Sequence, residues 1–160
     1  MRLIIGITGS TGVVYGVRML EVLKKLNIET HLIMSEWAQK CLSMETSYTI
    51  DYVKSLATKT SDEKNMASSV SSGTHRIDGM IVAPCSMKTL AAIANGYDDT
   101  LVARAAGVAI KESRKLILMV RETPFSAIHL ENMLKLSKIG VVILPLLLNF
   151  IQIQKPLMIL

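Results

Sequence analysis

One turn constrains this chain more than any other feature. Arg2 to Thr8 reads RLIIGIT, a short Ile-rich run, and Gly9 follows it. Behind the glycine, Gly12 to Leu26 places Val13, Val17, Leu20, Leu23 and Leu26 at spacings of three and four. The run is the pattern of a buried strand. The spacing is that of an amphipathic helix, with Arg18, Glu21, Lys24 and Lys25 on its wet face. A strand that is apolar on both sides needs cover on both sides, so a βα unit of this kind belongs in a layered sheet.

The alternation continues. Strands are predicted at Thr30–Met34, Met80–Ala83, Leu116–Val120 and Val141–Leu144. Helices are predicted at Glu36–Met44, Ser86–Asn95, Thr100–Lys111 and Phe125–Lys138, the last carrying Ile128, Leu130, Met133, Leu134 and Leu136. Lys54 to Arg76 is rich in Ser, Thr, Lys and Asp and reads as a loop-rich excursion with at most short helices. The pattern predicts an open, mostly parallel sheet with helices on both faces, an α/β fold of the Rossmann or flavodoxin type.

Composition narrows the function classes. A chain of 160 residues fits one domain, and 50% hydrophobic with 19% charged residues excludes intrinsic disorder. The longest apolar run, Ile139 to Leu148, is broken by Pro145 and falls short of the ~20 residues of a membrane span. Ten methionines and so apolar a balance predict a surface covered by further subunits. The net charge of +5 comes from scattered or paired basic residues with few aromatics between them, which suits an anionic ligand better than nucleic acid. Cys41 and Cys85 form no CxxC pair, His31, His75 and His129 show no metal-ligand spacing, and no leader pattern stands at the start. The expectation is a cytoplasmic protein with free thiols and no metal.

Three turns carry the chemistry. Gly6-Ile7-Thr8-Gly9-Ser10-Thr11-Gly12 joins the first strand to the first helix, where backbone N–H groups can hold a phosphate. Its GxxGxxG spacing is not that of a dinucleotide site, and no acidic residue ends the second strand to hold a ribose. Glu36 follows Ser35 at a helix start, so a mononucleotide fits better. Ala83-Pro84-Cys85-Ser86-Met87-Lys88-Thr89 opens another helix at the same sheet edge, with two capping hydroxyls and one cation. Val120-Arg121-Glu122-Thr123-Pro124-Phe125 reaches that edge too: Arg121 can clamp an anion and Glu122 can exchange protons. Arg104 and Lys111 lie seven apart on one helix face. Each feature also has a plain structural reading: a tight turn, an N-cap, or surface ion pairing.

Together these residues resemble the UbiX-like flavin prenyltransferases. The matching stretches are GITGSTGVVYGVRMLEVL, THLIMS, METSYT and the long run from Gly79 to Pro145 that contains APCSMKTLA and RETPFSAIHLENML. The resemblance implies a flavoprotein fold, bound FMN and a homo-oligomer, a dodecamer with the flavin near subunit interfaces. It places Gly9, Ser10, Thr11, Ser35, the Ser86-Met87-Lys88-Thr89 turn and Arg121 at the FMN. It gives Arg104 and Lys111, with Arg121, the role of a basic wall for a departing phosphate, and sets Glu45 and Glu122 near that phosphate and the proton path. The implied reaction joins the dimethylallyl group of dimethylallyl phosphate to reduced FMN at N5 and C6. The implied recipient of the prenyl-FMN is a UbiD-type decarboxylase, and no metal is implied. Thr11 stands where relatives commonly carry Ser. The alternatives are a catalytically impaired FMN-binding oligomer and a flavin-dependent cysteine decarboxylase of the same superfamily.

The end of the chain departs from the family. Relatives continue with a second Pro, a Phe-Tyr-x-x-Pro segment and a final helix, whereas this chain reads LLLNFIQIQKPLMIL, with Ile151 in place of the Tyr. The expectation is that the family's C-terminal helix is missing. A reading frame shifted over Asn149 to Ile159 is the expected origin of the change, and the gene's codons there would test it.

Overall fold

The structure, a computed structural model, describes residues 1–146. Six strands form one sheet: β1 (Arg2–Ile7), β2 (Glu29–Met34), β3 (Lys59–Asp62), β4 (Gly79–Cys85), β5 (Lys115–Val120) and β6 (Val142–Pro145). Their order is β3-β2-β1-β4-β5-β6 and every pairing is parallel. The helices are α1 (Val13–Lys25), α2 (Glu36–Glu45), α3 (Ile50–Leu56), α4 (Met87–Ala94), α5 (Leu101–Lys111) and α6 (Ala127–Lys138). The α/β architecture is the one the alternation predicts. The expectations for the tail lie outside the described residues.

Side chains alternate across each strand, so one apolar run feeds two cores. Ile4, Ile33, Val82 and Leu118 pack with α4 and α5 and with Met133 and Leu136 of α6. Ile5, Ile7, Leu32 and Met34 pack with α1, α2 and α3. Gly16 lets α1 lie close to the sheet: a Cβ there would stand 2.4 Å from the Ala83 carbonyl oxygen and 2.8 Å from Ile7 Cδ1.

Two elements differ from the sequence reading. The stretch taken as loop-rich overlaps α3 and holds a sixth strand, β3. KTSD carries no apolar signal because β3 is a mostly exposed edge strand, held to β2 by its backbone. On α6 only Met133 and Leu136 are buried, while Ile128, Leu130 and Leu134 stay open. Val142 and Leu144 of β6 are exposed as well. This open apolar surface agrees with a subunit-forming chain.

A polar cluster ties the polar segment after β3 to the sheet. His31 is only 6% exposed, and its Nε2 lies 2.8 Å from Ser61 Oγ, which lies 2.8 Å from Ser68 Oγ. The His75 ring meets the His31 ring edge-on at 6.4 Å between centroids. Among the described residues, buried His31 Nδ1 and His75 Nε2 have no hydrogen-bond partner. Burial holds His31 below its ordinary value of 6.5, and the His75 and Lys59 charges add to this while Glu29 opposes it. Burial also lowers His75, helped by Arg2, Lys59 and Arg114 and again opposed by Glu29. Well above pH 6.5 both rings are neutral in folded and unfolded chains alike. Below 6.5 the unfolded chain binds protons that the folded one refuses, so stability falls with pH until the depressed folded values are passed. Calorimetry at pH 7.5 and 5.5 should show a lower Tm at the acid pH, and His75→Phe should shrink the difference. An unchanged difference in that variant would clear the pair of this role.

Candidate functional site

The strand order places the site. From β1 the chain runs outward to β2 and β3, then returns to place β4 on the other side of β1. The carboxyl ends of β1 and β4 therefore flank the switch point, where open α/β sheets bind ligands. A cleft of about 370 Å³ opens there, with Thr8, Gly9, Ser35, Trp37, Ser86, Lys88 and Thr89 in its wall.

Each hydroxyl is set by a helix start. Ser35 Oγ accepts from Ala38 N at 3.0 Å and caps α2. Ser86 Oγ accepts from Thr89 N at 3.2 Å, donates to Thr89 Oγ1 at 3.1 Å, and caps α4. Thr100, also in the wall, caps α5. Three helix N-termini thus meet at one cleft, and each favours negative charge. Two are partly neutralised from within: Glu63 takes the Glu36 amide at 2.8 Å on its carboxylate and the Leu101 amide at 2.7 Å on its carbonyl. Among the described residues, the first-turn amides of Met87 and Lys88 on α4 meet no acceptor. The ammonium of Lys88 lies 3.7 Å from Asp99 at the same cleft.

Gly9 leaves room that no other residue would: a Cβ there would stand 2.3 Å from Trp37 Cβ. Ser10 and Thr11 continue the bend toward α1, and Ser10 Oγ donates to the Arg121 carbonyl at 3.4 Å. Met87 packs inward against the core. The Arg121 backbone amide donates to the Cys85 carbonyl at 3.4 Å, which brings the third turn beside the second. Glu122 accepts from the Thr123 amide at 3.1 Å. Glu45 accepts from the Gly12 amide at 2.9 Å and so neutralises the start of α1.

Arg104 and Lys111 do not line the cleft of their own protomer. Arg104 donates to the Ser71 carbonyl and to Asp98, both at 3.1 Å. Lys111 pairs with Glu112 at the far end of α5. Cys85 is fully buried, and burial pushes its thiol up to about 12, which removes it as a nucleophile at neutral pH.

Sequence reasoning gave no role to Thr8, Trp37, Glu63, Lys64, Asp99 or Thr100 in the cleft wall. The sequence signal for Thr8 was its place at the carboxyl end of the first strand. Glu63 and Lys64 follow β3, whose polar sequence hid the strand that carries them.

Fold and cleft together define an α/β protein built to hold a phosphorylated ligand at a switch point. A family model described as Flavoprotein matches residues 1–158. A probable UbiX-like flavin prenyltransferase of Bacillus subtilis (strain 168) is 52% identical over 145 residues, which are 91% of this chain and 71% of the relative. A crystal structure of AnUbiX (PadA1) in complex with FMN and dimethylallyl pyrophosphate superposes with a TM-score of 0.89 at 50% identity, covering 90% of this chain and 77% of that one. A dodecameric FMN-dependent UbiX-like decarboxylase from Escherichia coli O157:H7 gives 0.91 at 51% identity, over 94% and 82%. The chain belongs to the flavoprotein family and, within it, to the UbiX-like flavin prenyltransferases.

Proposed function

We propose that this chain binds FMN and transfers to its reduced form the dimethylallyl group of dimethylallyl phosphate. The observation that carries the reading is the donor set at the switch point. The hydroxyls of Ser35, Ser86 and Thr89, the open amides of Met87 and Lys88, and one ammonium suit a phosphate monoester. Beside them, Gly9 lets Trp37 lie against the turn, and Trp37, Ala92 and Val102 offer apolar wall for a flat ring. The donor set therefore fits FMN.

When bound and reduced, FMN supplies the electron-rich ring that accepts the allyl group. The protein's part is to hold the phosphate ends and stabilise the charge that develops. The allylic C–O bond breaks with its electron pair leaving on phosphate, and Arg121, Arg104 and Lys111 are assigned to that anion. Because Arg104 and Lys111 turn away from their own cleft, in this reading they serve the site of a neighbouring copy. Glu45 and Glu122 are assigned to proton movement, while Gly9, Ser10 and Thr11 carry the chain past the ring. An oligomer, a dodecamer in the E. coli relative, would bring such copies together. The product is assigned to a UbiD-type decarboxylase and the work to the cytoplasm; the free state of Cys41 and Cys85 supports a reducing compartment. No described helix is long and apolar enough to cross a membrane. The sequence identity favours prenyl transfer over cysteine decarboxylation.

The test is anaerobic incubation with reduced FMN and dimethylallyl phosphate, with dimethylallyl pyrophosphate in a parallel arm. The expected result is a flavin heavier by one dimethylallyl unit in the monophosphate arm. Flavin bound but unchanged in mass in both arms would reject transfer.

A further inference from the structure

Thr8 is 2% exposed, yet its polar side chain lies at the edge of the cleft. It stands one residue past β1, where pairing with β4 has just ended at Gly6↔Val82. Here β4 carries Pro84, which has no N–H, and the β4–β5 register shifts between Val82 and Cys85. A strand end interrupted in this way cannot continue its ladder by backbone bonds alone. The Thr8 hydroxyl fills the gap. It donates to the Pro84 carbonyl at 2.9 Å and accepts from the Ser86 amide at 2.8 Å. The Thr8 amide also donates to Pro84 O, at 3.2 Å.

These bonds leave the hydroxyl one orientation. An amide can only donate, so Thr8 Oγ1 must accept from Ser86 N, and its single proton goes to Pro84 O. Ser86 is the cap of α4, and its hydroxyl accepts from Thr89 N and donates to Thr89 Oγ1. A continuous chain of bonds therefore runs from the end of β1 through Ser86 to Thr89, and it fixes where the open amides of Met87 and Lys88 point.

We propose that Thr8 is the positioning residue of the phosphate seat, acting through Ser86 to aim the first turn of α4. The inference rests on the FMN reading above. Thr8→Val keeps the shape and removes both bonds, leaving the part-buried Ser86 amide without its acceptor. Thr8→Ser keeps the hydroxyl.

The experiment measures the affinity of each protein for FMN and for riboflavin, which lacks the phosphate, and the ³¹P shift of bound FMN. Thr8→Val should weaken FMN about tenfold or more, leave riboflavin nearly unchanged and displace the ³¹P resonance. Thr8→Ser should restore all three. Equal weakening of both flavins, or an unmoved ³¹P signal, would overturn the proposal and leave Thr8 as packing only. Should Thr8→Val fail to fold, Thr8→Ala makes the same comparison without the branched side chain. A wild-type protein that takes up neither flavin overturns the FMN reading itself, whereas wild-type binding that Thr8→Val does not alter overturns only the role of Thr8.

Discussion

Gly16→Ala should destabilise the fold by about 2 kcal/mol, although alanine is the better helix former. Two effects compete. Alanine in a helix interior gains about 1 kcal/mol over glycine through backbone entropy. Against this, the new methyl would stand 2.4 Å from the Ala83 carbonyl oxygen and within 2.9 Å of two Ile7 side-chain atoms. A backbone carbonyl in a sheet cannot rotate away, so α1 would have to lift off β4 or Ile7 leave its rotamer. Overpacking of this kind costs typically 1–3 kcal/mol and occasionally more, and the close approach to backbone puts this site at the upper end. In a domain of this size the midpoint should fall by roughly 4–8 °C. Gly107→Ala is the control: the nearest atoms to its Cβ would be those of the Asp98 carboxylate, at 3.2 Å and beyond, a side chain and not backbone, so the propensity gain should hold the midpoint level or raise it. Equal midpoints for Gly16→Ala and wild type would mean that α1 does not pack as described.

The same steric fact shows what the sequence could and could not reveal. Val13, Val17 and Leu20 announce α1 and its buried face, since apolar periodicity is a local signal. The close approach of Gly16 is not local: it depends on β4, almost seventy residues away in the chain, lying beside β1. β3 was hidden for a related reason. KTSD is an exposed edge segment, and its strand form comes from the β2 backbone, not from its own side chains. In the candidate site, Ser35 and Ser86 were legible because an N-cap hydroxyl before a helical pattern has a fixed local meaning. Thr8, Asp99 and Glu63 were not, because their roles arise only when three turns are brought to one sheet edge. Arg104 and Lys111 were legible as one helix face, but the direction of that face away from its own cleft needed the packing of α5 on the segment around Ser71.

Lys111→Ala should leave FMN binding intact and lower prenyl transfer by about 10²–10³-fold, the usual loss when a group facing developing negative charge is removed. Lys111 closes α5, eleven residues beyond the Thr100 cap, or about 16 Å along the helix axis. Its ammonium is paired with Glu112 at that far end. It does not line its own cleft, so in the proposed reading its effect on transfer acts on a second copy. Complementation tests this directly. Ser86→Asp keeps a capping side chain on α4 but sets a carboxylate against the phosphate, so that variant should fold and lose FMN. Alone, Lys111→Ala should keep at most about a hundredth of the wild-type rate, and Ser86→Asp should not turn over. Oligomers reassembled from both should regain part of the activity, since an intact cleft of one variant can meet the intact Lys111 of the other. Turnover by Lys111→Ala at the wild-type rate would remove Lys111 from the basic wall. Lost turnover with no recovery in the mixture would place its action within one protomer and contradict the geometry of α5.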